Sequence, residues 1–433
     1  MEQQLLTILK SELKPAIGCT GPLGVSIAAA NAYDAVGGGK IRRIVAKVDW
    51  SMAAKIDDVG IPGTEYLGVE MAIALGAVCG DPNAGLEVFH HVTPEGELQA
   101  RKIAEMVELY PIWDRTDLGA YIDVTIETDQ GIGRAVVAGS QDGLILKEKN
   151  GEILLEREPE RAQSGGSPML QYKIRDFYEF ALSCPANELD IVRRAAEYNL
   201  AVAQAALDQQ LGLGIGKSLL ESEGINDILR AKGYAAAACE GRMSGVAMPV
   251  MSCGGKGNVG LAASIPLIIQ AKDAHIGEEQ MLRAITLSYL LAIAIIHRIG
   301  KSPSMCSCEV AAALGIAAGT VLLKGGSIQQ VEIAIQNTIP NVFGVVCDGA
   351  KLACALRISS GTGIAIEAAN LALNGVRLAN NQGVLSKTAD ESIDILGHIA
   401  LYEMVDSDRG LSRKLFEKRR IFPLQTFRER QLQ

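Results

Sequence analysis

Apolar and polar positions along this chain follow two periods, and the change from one to the other divides it. Residues 2–13 place Leu5, Leu6, Ile8, Leu9 and Leu13 on or near one helical face, and Lys14-Pro15 ends the pattern. After Gly18-Cys19-Thr20-Gly21-Pro22, the Ala-rich run Val25 to Tyr33 predicts a second helix. Thr20 suits its N-cap and Pro22 its first turn. From Lys40 to about Glu160 strand patterns appear. Ile41–Trp50 predicts a strand, and Tyr66–Val78 and Glu97–Leu109 predict helices. Tyr121–Thr128 alternates strictly, with Ile122, Val124 and Ile126 on one face, and Arg134–Gly139 is its expected partner. Asn150-Gly151, between Leu144–Lys149 and Glu152–Glu156, is a hairpin signal.

Residues 161–168, reading RAQSGGSP, have the composition of a linker. Helical patterns then run almost to the end: Asn187–Leu211, Ile225–Ala238, Val259–Ala271, Glu278–His297, Glu309–Leu323, Ile328–Asn337, Leu352–Ile358, Gly363–Leu373 and Glu391–Tyr402. The expected fold class is α+β. Residues 1–38 and 169–425 form a mainly helical, Gly/Ala-rich domain, and residues 39–160 form an α+β domain inserted into it. The Arg- and Lys-rich tail from Lys414 to Gln433 predicts a solvated helix or a frayed end.

A chain of 433 residues exceeds one ordinary core, which supports the two-domain reading. With 48% hydrophobic but only 4% aromatic residues, the core must be built from Ala, Ile, Leu and Val. The 46 glycines allow helices to approach closely. A net charge of −9 argues against nucleic acid as a partner. No signal-peptide pattern opens the chain, and its most apolar run, Ala284 to Ile296, is shorter than the roughly 20 residues of a membrane span. An odd cysteine count, with thiols inside apolar segments, points to a reducing cytoplasm.

Cys306, Cys308, Cys347 and Cys354, four of the nine cysteines, stand close together in sequence amid Ala/Gly-rich helical patterns. Such thiols can be core residues, a disulfide, a zinc site or iron–sulfur ligands. On one continuous helix Cys347 and Cys354 would lie about 10 Å apart along the axis, beyond the roughly 7 Å that a disulfide allows between Cα atoms. Asp348-Gly349 would instead let Cys347 sit in a turn before the helix, near its positive end. Cys19 is expected at a helix N-terminus, where a thiol pKa falls.

Met251-Ser-Cys-Gly-Gly-Lys-Gly-Asn258 joins two apolar segments, and its glycines can present N–H groups to an anion such as a carboxylate. Ser252, Gly254, Gly257 and Asn258 are its candidate binding residues. Ser359-Ser-Gly-Thr-Gly363 predicts a second loop of this kind, with Ser359 and Ser360 as candidates. His297 reads as a capping or core histidine and Glu309 as a helix-start carboxylate. No Walker sequence, dinucleotide fingerprint or Ser/His/Asp arrangement is present.

Cys306-Ser-Cys-Glu-Val, Cys347-Asp-Gly-Ala-Lys, Cys354 and Lys14-Pro-Ala-Ile-Gly-Cys-Thr-Gly-Pro22 together resemble the L-cysteine desulfidase family, which is related to the alpha chain of iron–sulfur L-serine dehydratases. The resemblance covers nearly the whole chain. It implies that Cys306, Cys347 and Cys354 hold a [4Fe-4S] cluster with one iron free for substrate, and that Cys19 is the catalytic base. The implied activity is β-elimination from a small L-amino acid, L-cysteine giving pyruvate, sulfide and ammonia; the expected location is the cytoplasm and the expected assembly a homodimer. L-Serine deamination is the alternative. This chain departs from the family pattern at Gly21, where Glu is usual, and at Cys253-Gly-Gly-Lys-Gly-Asn258, where the loop usually reads Ser-Gly-Ser-Gly-Asn. Two readings outside the resemblance are a pyridoxal phosphate enzyme with Lys256 as Schiff base, and a non-catalytic metal-binding or redox-sensing protein that also uses Cys308 and Cys253.

Overall fold

The computed structural model describes residues 2–18, 20–64, 66–90, 92–114, 120–159, 167–300 and 303–419. The chain opens with α1 (Glu2–Glu12), β1 (Leu13–Ile17) and α2 (Thr20–Val36). Then come β2 (Ile41–Asp49), α3 (Trp50–Lys55), α4 (Val69–Cys79), α5 (Pro94–Ala104) and β3 (Val107–Ile112). A meander follows of β4 (Ala120–Thr128), β5 (Gly131–Gly139), β6 (Leu144–Lys149) and β7 (Glu152–Glu156). The remainder is helical apart from β8 (Pro249–Cys253): α6 (Ile174–Ser183), α7 (Asp190–Asp208), α8 (Ile215–Leu220), α9 (Asp227–Met243), α10 (Gly257–Asp273), α11 (Glu278–Ile299) and α12 (Val310–Leu323). It closes with α13 (Ile328–Val342), α14 (Cys354–Leu373), α15 (Ala389–His398) and α16 (Val405–Arg419). The fold is α+β.

Six strands form one sheet in the order β3-β2-β4-β5-β6-β7, antiparallel except for the parallel β2–β3 pair. Ile122, Val124 and Ile126 of β4 are fully buried, as the strict alternation requires. Asn150 and Gly151, both at positive φ, make the tight turn between β6 and β7. The edge strand β3 replaces the end of the helix expected over Glu97–Leu109. That helix stops at Ala104, and Pro111 is tolerated because β3 is an edge.

The assignment of residues 1–38 to the helical domain is corrected for α2. This helix packs on β4, β5 and α4: a side chain at Gly133 of β5 would strike the Ala32 carbonyl, and one at Gly76 of α4 would strike the Ser26 backbone. Only α1 and β1 join the helical body, β1 through its antiparallel pairing with β8 from Leu13↔Cys253 to Ile17↔Pro249.

At the centre of the helical body, α11 and α12 touch at close range, because Gly315 and Gly319 lie against the backbones of Ser288 and Ala284. α11 is 22 residues long and apolar enough to cross a membrane by length and composition, longer than the apolar run suggested. Here 83% of its most apolar window is buried inside the protein. The C-terminal segment is also more than a solvated end. In α16, Phe416 is buried and packs edge-on against Trp113, Arg419 pairs with Asp57 and Glu70, and Asp408 pairs with Lys55 of α3. Residues 420–433 lie outside the described residues.

Candidate functional site

Two loops bring the clustered cysteines together. The Cys306 N–H donates to the Val345 carbonyl at 2.8 Å, and the Cys347 N–H donates to the Ser304 carbonyl at 2.9 Å. Met305 and Val346 pair between them, so Cys306 and Cys347 stand side by side. A tight turn carries the chain from Cys306 to Cys308 before α12 begins, with the Glu309 N–H bonded to the Cys306 carbonyl. Cys354 opens α14, and its thiol points back to the Gly349 carbonyl at 3.6 Å. Cys347 therefore lies in the loop ahead of that helix, as Asp348-Gly349 suggested.

The loop from Cys347 to Cys354 is held by the end of α3. Gly349 has φ +101°, and an added Cβ would lie 2.6 Å from the Lys55 carbonyl oxygen, so glycine is required on both counts. The Ala350 N–H donates to that same carbonyl at 2.9 Å. Below it the Lys55 ammonium, almost fully buried, meets Asp408 at 2.5 Å. The sheet-side segment after β2 thus builds one wall of the thiol site.

The four thiols touch in series: Cys347 to Cys306, Cys306 to Cys308, Cys308 to Cys354. Cys306 and Cys308 approach to 3.3 Å between sulfurs. Bonds from Cys308 and Cys347 hold the Cys306 thiol well below its usual pKa, against the effect of burial. Cys308 and Cys347, as donors in those contacts and as buried groups, are pushed well up. Cys354 is lowered by its contact with Cys308. Beside them Glu309 is pushed up to about 7, first by burial and then by the Cys306 charge, with Arg357 opposing from 3.5 Å.

The donor set is soft, buried and thiol-rich, which suits iron–sulfur or zinc chemistry. Among the described residues no three Cys, His, Asp or Glu side chains converge as ligands of one metal ion. Four thiols in series offer the sulfur donors that an iron–sulfur cluster takes. A fifth thiol, Cys239 on α9, is fully buried and feels Cys354 and Cys306 electrostatically.

The glycine segment is a turn followed by a helix. Cys253 and Lys256 pair across Gly254 and Gly255, both at positive φ, and α10 starts at Gly257. Gly254 donates its N–H to the Glu12 carbonyl. The Ser252 hydroxyl donates to the Lys14 carbonyl at 2.7 Å, so it pins β1 to β8. Asn258 is buried and accepts from Arg242 through Oδ1 at 2.9 Å. The second loop expected at Ser359–Gly363 is corrected: this stretch is the interior of α14. Its backbone groups serve the helix, Ser359 is buried within it, and the Ser360 hydroxyl bonds back to the Leu356 carbonyl. Gly361 and Gly363 allow α14 to pack against Glu309 and Lys232.

Cys19 lies outside the described residues, but both flanks are described. Thr20 opens α2, and the Gly18 carbonyl accepts from Arg242 Nη2 at 2.8 Å. Arg242 therefore ties the peptide preceding Cys19 to the start of α10, while Cys239, on the same helix, is near enough to feel the charge of Cys354 and Cys306. The sequence pattern gives Arg242 no role and leaves Cys239 outside the ligand set. The signal was the charged pair Glu240 and Arg242 inside an Ala-rich helix, a pattern that burial makes meaningful.

The chain belongs to the serine dehydratase alpha chain family, whose model matches residues 83–412. The matched span includes the four thiols, Arg242 and the glycine turn, and begins after Cys19. A UPF0597 protein of Phocaeicola vulgatus is 32% identical over 414 residues, covering 94% of this chain and 96% of that protein. One from Clostridium botulinum is 30% identical over 425 residues, with 96% and 99% covered. One from Caldanaerobacter subterraneus is 33% identical over 407 residues, with 93% and 96% covered.

Proposed function

We propose that this member of the serine dehydratase alpha chain family is a lyase that eliminates the β-substituent of a small L-amino acid, with L-cysteine as substrate and pyruvate, sulfide and ammonia as products. The observation that supports this most is the series of four clustered thiols, Cys306 and Cys354 buried and Cys308 and Cys347 half-buried, on two loops next to a helix that reaches the Gly18 peptide. Cys306, Cys347 and Cys354 would hold a [4Fe-4S] cluster. When bound, a cluster with an open iron supplies Lewis-acid polarisation of the leaving thiol or hydroxyl.

The chain's own groups supply the rest. Cys19, which immediately precedes Thr20 in the sequence, takes the α-proton on its sulfur. The first turn of α10 holds the substrate's negative end. Loss of the α-proton and of hydrosulfide (HS−), together one hydrogen sulfide, leaves an enamine, which becomes the imine and hydrolyses to pyruvate and ammonia. A reducing cytoplasm suits such a site.

L-Serine is the second reading, favoured by the family that the chain matches. Anaerobic reconstitution with iron and sulfide, followed by parallel assays of pyruvate from L-cysteine and from L-serine, tests both. Iron bound to the protein, a broad brown absorption and faster turnover of L-cysteine are expected. Faster turnover of L-serine would reverse the substrate assignment, and a reconstituted, iron-loaded protein inactive on both would remove the elimination reading.

A further inference from the structure

We infer that Arg242 and the first turn of α10 form the anion site that takes the substrate's α-carboxylate. Arg242 lies at the end of α9 and is only 4% exposed. Its Nη1–H donates to the Asn258 side-chain oxygen at 2.9 Å and its Nη2–H to the Gly18 carbonyl at 2.8 Å. Both partners are neutral. Its Nε–H has no hydrogen-bond partner among the described residues. Glu240, the acid nearest in sequence, is committed elsewhere: its carboxylate accepts from the N–H groups of Leu213, Ile215 and Gly216. A guanidinium buried against neutral acceptors is costly unless an anion completes it.

The position of the guanidinium makes the point independently. An added Cβ at Gly257 would fall 2.3 Å from Arg242 Nε and 2.5 Å from Cζ, so the cation lies directly on the first residue of α10. The opening N–H groups of that 17-residue helix lack acceptors within the helix and carry the positive end of its dipole. The fold therefore brings two sources of positive potential together, with no acidic side chain bonded to the guanidinium among the described residues. An anion beside them, at the unpartnered Nε edge, relieves that repulsion and gives both their missing partner. The same guanidinium holds the peptide before Cys19, so a carboxylate bound here stands beside the segment that carries the proposed base.

That the anion is an amino-acid carboxylate rests on the elimination reading; the anion site itself does not. The test uses the full, anaerobically reconstituted chain and two unreactive probes, L-alanine and L-alaninamide, titrated by calorimetry. Wild type should bind L-alanine at least about tenfold more tightly than L-alaninamide, the scale of losing a buried charge pair. Arg242→Gln should lose about tenfold or more in L-alanine affinity and no longer distinguish the probes, with iron content unchanged. Arg242→Lys keeps the charge but not the fork. It should show a several-fold weaker affinity and a raised KM at nearly constant kcat, and it decides the matter if the Gln variant does not fold. Wild type that fails to prefer L-alanine, or an Arg242 variant that binds it within twofold of wild type, overturns the inference. A protein that binds L-alanine through Arg242 yet forms no pyruvate from cysteine or serine removes the elimination reading and leaves the anion site. Turnover with KM unaffected in both Arg242 variants does the reverse.

Discussion

The sulfurs of Cys306 and Cys308 lie 3.3 Å apart, and Cys308 also touches Cys354. A residue outside the three-ligand set that family resemblance implies thus stands in the middle of the thiol series. Cys306→Ala, Cys347→Ala and Cys354→Ala should each lower reconstituted iron to less than about half, since three thiolates are needed to hold a cluster with one open iron. Cys79→Ala and Cys184→Ala should leave iron unchanged. Cys308→Ala is expected to retain it. Iron loss in Cys308→Ala equal to that in Cys306→Ala would place Cys308 among the ligands instead.

Cys19→Ser should keep iron and folding but lower activity by about two to four powers of ten, the scale of removing a positioned base. Pyruvate release by iron-matched samples measures this. Activity within a few-fold of wild type would take Cys19 out of the mechanism.

The buried Lys55–Asp408 pair supports the wall on which the Cys347–Cys354 loop rests. Lys55→Met leaves a carboxylate buried without its cation and should destabilise the fold by about 3–5 kcal/mol. Urea unfolding checks this. Adding Asp408→Leu should recover much of the loss; a double variant no more stable than Lys55→Met would show that the pair is not what fails.

Burial raises the Asp408 carboxyl above its usual value of 3.8, with Lys55 opposing. A raised acid favours the fold in its neutral form. That contribution is complete below about pH 3.8 and is lost as pH rises through the folded-state value. The stability of wild type minus that of Asp408→Asn should therefore fall as pH rises across the carboxylate range. Unfolding curves at several pH values decide it, and a difference that grows with pH contradicts the assignment.

Gly21, where the resembling family has Glu, sits against the residue that ends α3: an added Cβ would lie 2.6 Å from Ile56 Cγ2. Gly21→Ala should cost about 1–3 kcal/mol by overpacking. The cost should be smaller in an Ile56→Ala background, as a double-mutant cycle of melting curves would reveal. Equal costs in both backgrounds would mean that Ile56 is not the obstacle.

The sequence by itself determined the parts of this protein whose signals are local. Strict alternation in β4 needs only a sheet with one buried face, and Asn150-Gly151 needs only its own backbone, so both were readable. Periodicity located the long helices for the same reason, and the spacing of Cys347 and Cys354 around Asp348-Gly349 put the first thiol ahead of the helix. Where the deciding partner was distant, the sequence could not speak. β3 became a strand because β2 offered it an edge, and α2 left the helical body because the small residues of β5 and α4 let it lie on the sheet. Ser359–Gly363 looked like a loop because its glycines are legible locally, whereas their use in packing α14 against Glu309 and Lys232 is not. Arg242 shows the division most clearly. Its charge was visible in the sequence, but its meaning depends on burial between the Gly18 peptide and the first turn of α10, and only tertiary packing sets the dielectric and the partners of a charge.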